Sequence, residues 1–204
     1  MEVNSAINKL KDHILTKYEE TKHKVGTNVI RGHLRTLSTE IEDGVALFLL
    51  DILPEGYKAL VDCSVHIDGK SHRPDILIID SENKVKFLVE VKTNMGWCRN
   101  ATNELNKILQ KHNEMASVGN IRCKFSNDPE INVFYSDEVK IFLIPFTKGN
   151  CSEDNHTNNM VLAEEKGISY FRLFDNWYSN LENKEIENFA NAIIKGVQRG
   201  VSNG

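Results

Sequence analysis

Two neighbouring segments with the pattern of β-strands constrain the fold of this chain more than any other feature. Apolar residues alternate with other residues along Val85–Lys92, which is typical of a strand because successive side chains point to opposite faces. The segment Arg73–Asp80 before it is largely apolar, and the polar residues 81–83 between the two favour a turn. We therefore predict an antiparallel hairpin. One face of its second strand would carry Val85, Phe87, Val89 and Val91.

Helical and strand patterns flank this hairpin on both sides. Apolar residues recur at every third or fourth position in several segments, as expected of helices that bury one face. The predicted helices are Val3–Tyr18, a helix from Thr39 that ends near Pro54-Glu55-Gly56, Ala101–Met115, Asn158–Lys166 and Leu181–Gln198. Further strands are predicted at Lys58–Ile67, Val139–Pro145 and Ile168–Phe174, whereas Gly119–Glu138 is polar and irregular. The order α-βββ-α-β-α-β-α predicts an α/β sandwich, with a mixed central β-sheet flanked by helices.

The composition bounds the class of protein. The 204 residues are enough for one domain with a hydrophobic core, and 40% hydrophobic with 26% charged residues is typical of folded chains. The apolar runs are far shorter than the roughly 20 residues that cross a bilayer, so we expect no membrane span and a cytoplasmic location. The net charge of −4 means that a nucleic-acid partner would need a local basic surface.

Three charged residues are predicted to meet at one end of the hairpin. Glu90 and Lys92 are two positions apart on one strand and so share a face. Asp75 lies near the start of the preceding strand, and an antiparallel hairpin sets the start of one strand beside the end of the next. Asp75 also lies in a largely apolar strand, where a carboxylate without a partner would be costly. Two carboxylates and a lysine therefore form a candidate active site.

These residue types suit phosphodiester hydrolysis. Carboxylate oxygens are the hard ligands that Mg²⁺ prefers, and Mn²⁺ can substitute for it. A bound divalent ion makes a water more acidic and offsets negative charge on the phosphate. A nearby lysine can orient or deprotonate that water, or stabilise the pentavalent phosphorus. The pattern therefore indicates a metal-dependent phosphodiesterase.

Pro74-Asp75 followed by Glu90-Val91-Lys92 resembles the PD-(D/E)xK motif of the restriction endonuclease-like nuclease superfamily. The predicted order of helices and strands is similar to the core of that superfamily over residues 38–174. Residues 1–37 would then be an N-terminal helical extension, and residues 175–204 would supply a C-terminal helix. The resemblance implies that Asp75 and Glu90 are metal ligands, that the Val91 carbonyl is a third oxygen ligand, and that Lys92 is the catalytic lysine.

Many members of that superfamily carry a further glutamate on the first core helix. Glu42 is the preferred candidate because it lies three and seven residues before Val45 and Leu49, and so borders the predicted buried face. Thr39 and Glu42 also match a capping box, which would explain the glutamate without any catalytic role. Glu40 remains an alternative.

Two groups of basic residues are candidates for contact with DNA. Arg31, His33 and Arg35 alternate before the first core helix, and Arg122 and Lys124 lie in the irregular segment. Side chains of this kind neutralise phosphates. Solvated surface charge explains the first group equally well, and nothing in the spacing of the second group specifies a base.

The resemblance implies a metal-dependent DNA endonuclease, with a type II restriction endonuclease as the first hypothesis. Such an enzyme would act as a homodimer, because both strands must be cut, and a cognate DNA methyltransferase would be encoded nearby. The alternatives are a structure-selective or nicking nuclease of the Holliday-junction resolvase or repair type, and a catalytically silent DNA-binding module with the same fold.

Overall fold

A five-stranded mixed sheet at the centre of the molecule contains both strands of the predicted hairpin. The structure is a computed structural model that describes residues 3–22, 37–94, 101–147, 151–175 and 184–201. The helices are α1 (Val3–Lys22), α2 (Ser38–Ile52), α3 (Ala101–Val118), α4 (Glu153–Glu165) and α5 (Lys184–Val201). The strands are β1 (Lys58–Val61), β2 (Ser64–Ile67), β3 (Lys70–His72), β4 (Ile76–Ile79), β5 (Val85–Asn94), β6 (Asn120–Lys124), β7 (Ile131–Phe134), β8 (Lys140–Thr147) and β9 (Ile168–Tyr170).

The central sheet has the strand order β1-β4-β5-β8-β9. β1, β4 and β5 pair in antiparallel fashion, and β8 and β9 continue the sheet in parallel with β5. The predicted mixed sheet of an α/β protein is therefore confirmed. β9 is shorter than predicted, although the backbone beyond it still bonds to β8, because the Phe174 N–H donates to the Phe146 carbonyl at 3.0 Å.

Helices cover both faces of this sheet. One face packs against α2 and α5, with α1 packed on these two helices, and its core contains Phe87, Val89 and Val91 of β5. The other face packs against α3 and α4, and Leu88 belongs to its core. The alternation predicted Val85 on the same face as Phe87, but Val85 lies on this second face. A register shift between Ile78 and Ile79 sets Val85 opposite Ile79 and breaks the alternation at that point.

A second sheet, with the order β3-β2-β6-β7, was not predicted. The single strand predicted at Lys58–Ile67 is divided between the two sheets, because Asp62 adopts a left-handed φ of 47° and turns the chain. The segment Gly119–Glu138, predicted to be irregular, contains β6 and β7, which form a hairpin. Its alternating buried and exposed residues place Ile121, Cys123 and Val133 in the core.

The predicted capping box at Thr39 and Glu42 is wrong. α2 begins at Ser38, and its N-cap is Leu37, which has no side-chain hydrogen bond to the helix. Thr39 therefore lies inside the first turn rather than at the cap, so capping does not explain Glu42. None of the helices in the described ranges is long and apolar enough to cross a membrane.

Candidate active site

Asp75 is held at the junction of β4 and β5. It precedes the first residue of β4, and its Oδ2 accepts a hydrogen bond of 2.7 Å from the Val91 N–H. The Asp75 carboxylate therefore accepts from the β5 backbone in place of a backbone carbonyl. This hydrogen bond fixes the position of the carboxylate relative to β5. Since Ile76 pairs with Val89, Asp75 lies next to Glu90.

Glu90 is the most deeply buried carboxylate of the site, with 4% of its side chain exposed. Burial raises the pKa of Glu90, and the negative charge of Asp75 raises it further, whereas Lys111 and Lys92 oppose the change. A buried carboxylate of this kind requires compensating positive charge.

Lys92 lies between the two carboxylates. Its Nζ is 3.6 Å from Asp75 Oδ2 and 3.8 Å from Glu90 Oε2. Burial lowers the pKa of Lys92, but the charges of Asp75, Glu90 and Glu104 outweigh burial, so its pKa is raised above 10.5. Lys92 is therefore an ammonium ion at neutral pH. The predicted convergence of Asp75, Glu90 and Lys92 is observed.

A second lysine, Lys111 on α3, completes the cluster and was not predicted. Its Nζ donates to Glu90 Oε1 at 2.5 Å and to the Arg73 carbonyl at 2.9 Å. Lys111 lies three residues after Ile108 and four before Met115, both of which are buried. That spacing placed it at the border of the buried helix face, beside the sheet, and could have identified it.

Of the two glutamates considered on α2, Glu42 is the one on which the charges of Asp75 and Lys92 act. Burial raises the pKa of Glu42 to about 7, and the charges of Asp75 and Asp62 contribute to this rise. Glu42 is therefore close enough to Asp75 for their charges to interact. Glu40 instead lies beside α1, with its carboxylate 3.7 Å from Lys17 Nζ.

Two buried and neutral aromatic side chains, Tyr135 and His112, form a pair near Glu90. Tyr135 is fully buried, and its hydroxyl lies 3.0 Å from His112 Nδ1. Burial raises the pKa of Tyr135, with a contribution from the charge of Glu90, and burial lowers the pKa of His112. Both groups are uncharged at neutral pH, so they supply no counter-charge and leave that task to the lysines.

The residues predicted to contact DNA are only partly within the described part of the chain. Arg31, His33 and Arg35 lie outside the described residues. Arg122 and Lys124 are on β6 with exposed side chains, and both lie near Glu130, at 3.3 Å and 3.5 Å. The contact of these residues with DNA stays a prediction.

The oxygen donors of the site bear on whether it fits a divalent cation. In the described parts of the chain, no three histidine, cysteine, aspartate or glutamate side chains are grouped so that they could hold a metal ion. However, Asp75 and Glu90 jointly hold the Lys92 ammonium at distances longer than a hydrogen bond. Two hard carboxylates that meet at one point fit Mg²⁺ or Mn²⁺ in chemistry. The Val91 carbonyl as a further ligand stays a prediction.

Comparisons with known proteins found no family model and no curated protein that matches this chain. The function must therefore be inferred from the chemistry of the cluster formed by Glu42, Asp75, Glu90, Lys92 and Lys111, here called the carboxylate–lysine cluster.

Proposed function

We propose that this chain is a metal-dependent nuclease with a restriction endonuclease-like core that hydrolyses phosphodiester bonds in DNA. The observation that carries the proposal is the position of Lys92 Nζ between Asp75 and Glu90, at 3.6 Å and 3.8 Å. Pro74-Asp75 and Glu90-Val91-Lys92, which are separated by residues 76–89, thus supply two carboxylates and a cation to one point. Without the strands of the second sheet, the element order is α2-β1-β4-β5-α3-β8-α4-β9, which supports the same proposal.

Each residue has a task in this reaction. Asp75 and Glu90 would hold Mg²⁺ or Mn²⁺, with the Val91 carbonyl and Glu42 as further oxygen donors. When bound, such an ion lowers the pKa of a water and offsets charge on the phosphate. Lys92, which is cationic, would stabilise the negative charge that builds on the phosphate oxygens. Lys111 would hold Glu90 in a fixed orientation through their ion pair.

The finer parts of the proposal concern the biological setting. We propose a type II restriction endonuclease that acts in the cytoplasm as a homodimer on duplex DNA, with a cognate methyltransferase as its partner system. A structure-selective nuclease would share the same cluster, so the substrate has to be determined by experiment.

Cleavage of DNA by the purified protein tests the activity. Supercoiled plasmid, linear duplex, a four-way junction and an RNA duplex of matched sequence would be incubated with Mg²⁺, with Mn²⁺ and with chelator. We expect metal-dependent cleavage of DNA and a loss of at least roughly 100-fold in Asp75→Asn, Glu90→Gln and Lys92→Ala. Lys86→Ala is the matched control, because Lys86 is on β5 but pairs with Asp80 at 3.2 Å. A fully active Lys92→Ala protein contradicts the mechanism.

One observation favours a second candidate, the catalytically silent DNA-binding module. Lys111 and Lys92 already neutralise Glu90 and Asp75, so these four side chains form a charge-balanced ion-pair network without any metal. In that case all DNA substrates would stay intact with both metal ions, while the protein would still bind DNA.

A further inference from the structure

We propose that a groove beside the carboxylate–lysine cluster receives the nucleotide next to the scissile phosphate and reads its base. This inference rests on the proposed nuclease function and names the part of the molecule that would select the DNA sequence. The groove lies between the β1–β2 junction, the residue before Pro74, and the end of β6. It is lined in part by Asp62, Ser64, Arg73, Lys124, Phe125 and Asn127, and we call it the β6 groove.

The β6 groove and the candidate active site are joined by two hydrogen bonds. The Asp62 N–H donates to the Asp75 carbonyl at 2.9 Å, and the Arg73 carbonyl accepts from Lys111 at 2.9 Å. Two residues that line the groove are therefore bonded directly to residues of the cluster. A DNA strand with its phosphate at Asp75 has its neighbouring nucleotide at this groove.

The size and surface of the groove suit one nucleotide. Its volume is about 450 Å³, which lies within the roughly 300–1,000 Å³ of sites that bind small organic groups. Phe125 supplies an apolar surface and packs partly against the core, so its position is fixed. Ser64, Ser126 and Asn127 add neutral donors and acceptors. A deoxyribonucleotide has an apolar base face, polar base edges and a charged phosphate, and the groove offers a partner to each.

The two cations of the groove are available to phosphates. Arg73 Nε is 3.6 Å from Asp62 Oδ1, and 63% of the Arg73 side chain is exposed. Lys124 Nζ is 3.5 Å from Glu130, and both side chains are exposed. Exposed pairs at such distances contribute little free energy, so exchanging them for a DNA phosphate costs little. These cations would position the backbone but would carry no sequence information.

Asn127 and Asp128 are the residues that could discriminate between bases. Both lie on the exposed loop that joins β6 to β7, at the rim of the groove. A carboxamide can bond to adenine through two hydrogen bonds, and a carboxylate can accept from the amino group of cytosine. The loop therefore separates base recognition from the phosphate contacts of Arg73 and Lys124.

Sequencing of cleavage products tests base recognition. Wild-type protein, the double variant Asn127→Ala/Asp128→Ala and the control Asn132→Ala would cut a library of randomised duplexes. Asn132 is exposed on β7 of the same sheet but does not line the groove. We expect the double variant to lose the base preference at the position next to the cut, with a fall of roughly 10- to 100-fold on the preferred site. Asn132→Ala should keep both.

Binding without cleavage tests the phosphate contacts independently of catalysis. In chelator, Arg73→Gln/Lys124→Gln should bind all duplexes more weakly than wild type, and the slope of log affinity against log salt should fall by about 2. Phe125→Ala should weaken binding, whereas Phe134→Ala, a change at an exposed phenylalanine of β7, should not.

The possible failures are distinguishable. If wild-type protein cleaves DNA but the groove variants keep its base preference, affinity and salt dependence, the groove assignment is overturned and the nuclease stands. If wild-type protein never cleaves, the nuclease is overturned, and the binding measurements in chelator still decide whether the groove holds DNA. Thermal unfolding of each variant confirms that it is folded.

Discussion

Lys111 on α3 and Glu90 on β5 form an ion pair of 2.5 Å that joins a helix to the central sheet at the candidate active site. Glu90 is almost fully buried, and only 16% of the Lys111 side chain is exposed. Breaking a buried ion pair leaves one charge uncompensated, which costs more than the pair itself contributes. The pair therefore connects the stability of the fold to the chemistry of the cluster.

Replacing Lys111 by methionine should destabilise the metal-free protein by roughly 2–3 kcal/mol, because Glu90 loses its closest cation. Lys92 remains nearby, so the loss should stay below that of a fully isolated charge. Urea unfolding in chelator measures the effect. Lys84→Met is the control, since Lys84 is exposed and its ion pair with Glu82 lies at a surface turn. Equal stability of Lys111→Met and wild type would show that the ion pair does not stabilise the fold.

Glu42 should make the stability of the metal-free protein depend on pH. Its pKa in the folded state is raised from 4.5 to about 7, so the folded state binds the proton more tightly than the unfolded state. Stability from this group is therefore full below pH 4.5 and is lost as the pH rises to about 7. Relative to wild type, Glu42→Gln should gain melting temperature across this range, on the order of 2–4 °C, and then level off.

Thermal melts of Glu42→Gln and wild type between pH 4.5 and pH 8 in chelator test this expectation. Glu40→Gln is the matched control, because Glu40 is two residues away on α2 and lies beside Lys17 instead of Asp75. A constant difference between Glu42→Gln and wild type at every pH would place Glu42 away from the cluster.

Local patterns predicted the parts of the site that lie on one hairpin. Alternation along β5 placed Glu90 and Lys92 on one face, and antiparallel pairing brought Asp75 to them. These inferences need only the geometry of adjacent strands, so they are independent of the rest of the fold. The existence and type of the main helices followed from periodicity in the same way.

Features that depend on distant contacts were missed. Helical spacing places Lys111 at the border of the buried face of α3, but its contact with Glu90 depends on how α3 packs on the second face of the sheet. β6 and β7 are short, and β6 is added to its sheet by pairing with β2, a strand from a distant part of the chain. The break at Asp62 requires a left-handed backbone that the sequence around it does not specify.

Gly196 should tolerate no larger residue, because α5 approaches β5 closely at this point. A Cβ atom at Gly196 would lie 2.9 Å from Phe87 Cε1, and Phe87 is packed edge-on against Phe142 in the core. Gly196→Ala should therefore destabilise the protein by roughly 1–3 kcal/mol, in spite of the higher helix propensity of alanine. Urea unfolding measures this, with Asn191→Ala, at an exposed position of the same helix, as the control. A more stable Gly196→Ala protein would mean that Phe87 can move away.

A bound divalent metal ion should supply part of the positive charge that the lysines provide beside the carboxylates. Mg²⁺ or Mn²⁺ that binds only the folded state stabilises it by about 2.7 kcal/mol at a concentration 100 times its Kd. The gain should be larger in Lys111→Met than in wild type, because the ion restores positive charge beside Glu90. Asp75→Asn should show no gain, since Asp75 lies 3.6 Å from Lys92 and supplies the second carboxylate. Melting curves with Mg²⁺, Mn²⁺ and chelator measure these differences. An equal response in Asp75→Asn and wild type would show that the metal does not bind at this site.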